Sequence, residues 1–112
     1  MSYVSFQATP IGSQQGYDCS FHTLTTGIAP RHSDTVDVKF MIGGRPIVIA
    51  LPHRAFAEFK RKANRPLTDR EAIETAGFTL KRLIETGQWS GEEEFRPGWE
   101  ETLAVAGQVA QS

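Results

Sequence analysis

Thr35-Val-Asp-Val-Lys-Phe-Met-Ile-Gly-Gly-Arg-Pro-Ile-Val-Ile-Ala-Leu51 sets two apolar-rich runs on either side of a glycine pair. In the first run Val36, Val38, Phe40 and Ile42 alternate with Thr35, Asp37, Lys39 and Met41, the period of a strand with one buried face. Gly43-Gly44 suits a two-residue hairpin turn, which needs positive φ. With that turn Phe40 faces Ile47, Val38 faces Ile49 and Val36 faces Leu51. Directly opposed residues share a face, so one apolar surface spans both strands. Pro46 falls opposite Met41 with its missing N–H on the outer side, which predicts a sheet edge at that point.

Upstream, Val4, Phe6 and Ala8 alternate with Tyr3, Ser5 and Gln7. Over Tyr17–Thr25, Tyr17, Cys19 and Phe21 oppose Asp18, Ser20 and His22. Loops are predicted at Thr9–Gly16 and Thr26–Ser33. Downstream the period changes. After Pro52, Ala55, Phe56, Phe59 and Ala63 recur at helical spacing, and proline suits a first helical position. Asn64-Arg65-Pro66 ends that helix, because a residue before proline avoids the α region. Thr68-Asp-Arg-Glu71 is a capping box opening a helix over about 68–86. Its stripe is Ile73, Ala76, Leu80, Leu83 and Ile84, and Gly87 stops it.

The fold expected is α+β: an antiparallel sheet of about four strands in β-β-β-β-α-α order, covered on one face by two helices. That domain occupies residues 1–87. Residues 88–112 form an acidic-aromatic C-terminal arm, partly disordered or docked on a partner. It holds Trp89, Phe95 and Trp99 among Glu92-Glu93-Glu94 and Glu100-Glu101. A short helix through Trp99, Leu103, Ala106 and Ala110 is weakened by Gly107.

At 112 residues and 12.4 kDa the chain is long enough for one domain with a core of its own. Twelve basic against thirteen acidic residues exclude a protein held to nucleic acid by its overall field, and equally an acidic disordered chain. Cys19 is the only cysteine, so an intrachain disulfide is excluded. There is no signal-peptide pattern at the N-terminus, and Ile47–Pro52 is too short to span a bilayer. A cytoplasmic protein with no membrane contact is expected.

Catalytic and metal patterns are weak. Cys19 and His22 have C-x-x-H spacing, yet strand residues three apart point to opposite faces. Cys19 lies on the core face, where a thiol is a small inert hydrophobe. His32-Ser33-Asp34 contains the letters of a triad, but sequence neighbours do not adopt triad geometry. No phosphate-binding or nucleophile-elbow motif is present. No metal and no cofactor are therefore expected, and the enzyme reading leans to no.

Charge is local. Residues 53–65 carry Arg54, Lys60, Arg61, Lys62 and Arg65 against Glu58, while 91–101 carry five glutamates against Arg96. The acidic arm is expected either to pack on the basic helix, in its own chain or a partner's, or to remain a freely solvated tail. Phe78 falls on the charged face of the second helix, between Glu74, Lys81 and Glu85. Together with Trp89, Phe95 and Trp99 it marks a protein-interaction surface, with self-association as the first functional reading. A weak nucleic-acid binder using the five cations of 53–65 is the alternative. Against it stands a solvated helix face with Arg54–Glu58 and Glu58–Lys62 pairs. A small-ligand protein or enzyme with a pocket between sheet and helices comes third.

Overall fold

A computed structural model describes residues 3–26 and 35–111; the segment His32-Ser33-Asp34 and the loop glycine and proline at 27 and 30 lie outside them. The central hairpin is β3 (Thr35–Ile42) and β4 (Arg45–Pro52). Its register is Phe40 with Ile47, Val38 with Ile49, Val36 with Leu51 and Met41 with Pro46, as the alternation requires. Gly43 and Gly44 have φ of 55° and 92°, which a side chain would resist.

β2 (Tyr17–Thr26) pairs antiparallel with β3, and β1 (Ser5–Ala8) with β2. One detail of β2 departs from simple alternation. The ladder shifts between Phe21 and Thr23, leaving His22 as the extra residue of a bulge. Phe21 then pairs with Phe40 and Leu24 with Val38, and both pack on the core. Strict alternation would have turned Leu24 outward.

α1 (His53–Ala63) follows β4 directly and buries Ala55 and Phe59. It ends where Asn64 adopts φ of 60° and donates its N–H to the Lys60 carbonyl, a left-handed cap placed just before Arg65-Pro66. α2 (Asp69–Glu85) opens with the expected capping box. Its Ala72, Ala76, Leu80, Leu83 and Ile84 meet Val38, Phe40, Ile42, Ile47, Ile49 and Leu51 in one core. Phe40, fully buried, has the rings of Phe6 and Phe21 edge-on at 6.1 and 6.2 Å.

Residues 88–111 continue the same body. A fifth strand, β5 (Glu94–Phe95), pairs parallel to β4 at Val48 and Ile49, giving sheet order β1-β2-β3-β4-β5. Pro46 lies outside that short ladder, so β4 is unpaired on its outer side there. α3 (Trp99–Ala110) packs against α1 and α2. Thr75, Thr79 and Thr102 are buried with it, and each hydroxyl donates to the carbonyl four residues back, at 2.7, 2.9 and 2.8 Å. Those bonds satisfy the hydroxyls inside their own helices, so the helices approach without an orphaned donor. Among the described residues no helix is long and apolar enough to cross a membrane.

The α1–α2 joint carries a pH dependence. Arg65 grips both carboxylate oxygens of Glu71 at 2.8 Å while Glu71 also closes the capping box on Thr68. The guanidinium, followed by the Thr68 bonds, pulls Glu71 down from about 4.5 to about 2. A carboxyl depressed on folding contributes its full stability above its unfolded value, and loses it as pH falls from about 4.5 towards 2. Glu71→Gln should therefore flatten the acid limb of a urea-midpoint-against-pH curve over that window. An unchanged acid limb would show that this joint does not contribute.

Candidate functional site

α1 and α3 lie side by side, and each buries only one stripe. α1 turns Ala55 and Phe59 inward; α3 turns Thr102, Val105 and Ala106 inward. Between the two helices runs a groove of about 580 Å³, with the buried Phe59 at its floor. Its apolar lining is Phe59, Ala63, Trp99, Leu103, Ala104, Gly107 and Ala110, with Lys62, Arg65, Glu100 and Gln111 as the polar members. Small residues keep this side of α3 low. A Cβ added at Gly107 would meet nothing within 4 Å, so the chain's own packing does not demand glycine there.

Two cation–ring contacts set the aromatic positions. The Arg54 guanidinium lies 4.1 Å from the Trp99 ring centroid, and Arg65 lies 5.3 Å from that of Phe59. The first ties the start of α1 to the start of α3. The second, with the Glu71 fork, holds Arg65 at the groove's edge.

The residues marked in the sequence are dispersed. Phe78 is half-buried, with its ring 5.5 Å from Tyr3, so this chain's own N-terminal segment covers part of that face. Trp89 meets Tyr17 at 5.5 Å, lies under Arg45 and donates its indole N–H to the Glu92 carbonyl. Phe95 packs on the core from β5. Trp99 alone of the four lines the groove.

The basic segment is largely engaged within the chain. Arg54 has Trp99, and Arg65 has Glu71. Arg61 pairs with Glu58 at 2.7 Å, in place of the Arg54–Glu58 and Glu58–Lys62 pairs expected, and pulls the Glu58 carboxyl below its usual range. Lys60 and Lys62 are exposed and form no ion pair among the described residues. On the arm, Glu92 binds Ser90 and Glu94 binds Arg96. No ion pair among the described residues joins 53–65 to 91–101; the Arg54–Trp99 contact makes that link.

Cys19 is buried, and desolvation, helped by Asp18, pushes its thiol up to about 11, away from a nucleophilic thiolate. No three His, Cys, Asp or Glu side chains among the described residues are placed to hold a metal ion. Two cavities of about 160 Å³ lie beside α2, one near Phe95 and Glu101 and one near Tyr3 and Phe78. The larger groove lies between helices, whereas the small-ligand reading looks between sheet and helices.

No family model, no curated protein and no solved structure matches this chain. The groove itself was missed in the sequence, where Leu103 and Ala110 read as one side of a weak helix. A signal was present. Trp99, Leu103, Ala104, Val105, Ala106, Val109 and Ala110 surround α3 with apolar side chains on more than one face, which a helix packed on one side does not need.

Proposed function

We propose that this protein is a non-catalytic interaction module that pairs with a second copy of itself through the α1–α3 groove. The observation that carries the reading is the groove: a surface channel with an aromatic and aliphatic lining, framed by charges. Contiguous apolar surface of this kind is characteristic of association sites. The occupant follows from the charges on the two helices. α1 carries four cations and one anion, and α3 carries two anions and no cation. A two-fold pairing sets the same face against itself, so α1 of one copy can meet α3 of the other with opposite signs. A net charge of −1 adds little repulsion between copies.

The nucleic-acid reading draws less support. With Arg54, Arg61 and Arg65 engaged by Trp99, Glu58 and Glu71, two exposed lysines are a thin track for phosphates.

Leu103→Asp tests the proposal. A dimer unfolds with a midpoint that rises with protein concentration. The wild-type chain is expected to show that rise. The variant should remain folded, since Leu103 is only half-buried, and lose the rise, with about 2 kcal/mol or more of association removed. A wild-type midpoint independent of concentration would overturn the proposal.

A further inference from the structure

We infer that the pairing has a defined register, in which Lys62 of one copy meets Glu100 of the other and Glu100 meets Lys62 in return; this rests on the self-association proposed above. Both residues line the same groove, both are exposed, and neither forms an ion pair among the described residues. The other groove cation, Arg65, is already held by the Glu71 fork, and Glu101 faces the separate cavity beside Thr79 and Arg82. Lys62 and Glu100 are thus the two opposite charges of the groove without an ion pair among the described residues, Lys62 acting on Glu58 only through space. In a two-fold interface every contact between two different positions occurs twice. One Lys62–Glu100 contact therefore implies its mirror, with Leu103, Ala104 and Gly107 closing in the apolar strip between them.

Rim pairs of this kind select register and partner more than they add affinity. Their signature is the penalty for like charges. Lys62→Glu sets two glutamates together at both contacts, and Glu100→Lys sets two lysines together.

Each single variant is expected to self-associate at least about tenfold more weakly than wild type, because like-charge contacts at an interface are costly. An equimolar mixture of the two variants should recover association as a heterodimer, since each copy then supplies the charge that the other lacks. The double variant should recover it as a homodimer. Recovery by mixing separates a contact between copies from one within a chain, which the double variant alone would also restore. Sedimentation velocity at low salt on wild type, the two single variants, their mixture and the double variant reads all of this.

Single variants that associate like wild type would overturn the register while leaving self-association standing. Single variants that weaken without recovery on mixing would overturn it too, assigning the charges to their own chain. A wild-type chain that stays monomeric throughout would overturn both this register and the pairing beneath it.

Discussion

Phe40→Ala should remove about 3–5 kcal/mol of folding stability, a large fraction of the roughly 5–15 kcal/mol that holds a domain folded. Phe40 is fully buried at the middle of β3, opposite Ile47, and the rings of Phe6 and Phe21 close on it edge-on. Three strands thus contribute to one aromatic cluster beneath α2. Truncation removes the transfer free energy of the ring and leaves a cavity that the sheet cannot collapse, because its neighbours are pinned by ladder hydrogen bonds. Phe40→Leu, which retains most of the volume, should cost about 1.5 kcal/mol or less. Urea unfolding checks both. A loss below about 1 kcal/mol for the alanine variant would show that this cluster does not centre the core.

Gly77→Ala opposes two effects of known sign. In a helix interior alanine is favoured over glycine by about 1 kcal/mol. At this position, however, an added Cβ would lie 2.2 Å from the Tyr3 carbonyl oxygen and 2.6 Å from the Tyr3 Cβ. Backbone that close cannot swing aside as a flexible side chain does. The N-terminal segment must lift from α2, straining the Tyr3 N–H bond to Glu74 at 2.7 Å and the ring contacts with Phe78 and Phe6. Overpacking of this order costs about 1–3 kcal/mol, so the net change is expected to be destabilising. At roughly 4–8 °C per kcal/mol, the melting temperature should fall by several degrees. In a chain starting at Ser5 the same substitution should become neutral or stabilising. A rise in melting temperature in the full chain would contradict the contact.

Much of the α+β frame was legible in the sequence because it follows from short-range rules. The Gly43-Gly44 turn sets the β3–β4 register by counting, and the capping box at Thr68 sets the start of α2. The bulge at His22 was not legible. Which residue of β2 is extra depends on Leu24 seeking Val38 across the sheet, a pairing that no local pattern records. The two-residue β5 is likewise too short for a period, and it exists because Val48 and Ile49 offer it an edge.

The site was less legible than the fold. Phe78 stands out on a helical wheel because its stripe is defined by the sheet side of α2 alone. The wheel carries no information about Tyr3, seventy-five residues earlier, which reaches it through Gly77. Opposite charges on 53–65 and 91–101 pointed to an ionic contact between the two segments. Their contact is nevertheless a cation over a ring, Arg54 on Trp99, while Glu92 and Glu94 turn to Ser90 and Arg96. That arrangement leaves Lys62 and Glu100 without an ion pair among the described residues, at the groove where the proposed pairing uses them.

Sedimentation equilibrium of the wild-type chain tests that pairing most directly. Across a concentration series at low salt, the weight-average mass is expected to rise to twice 12.4 kDa and stop there, as a closed two-fold pair requires. A mass of 12.4 kDa at every concentration would contradict it.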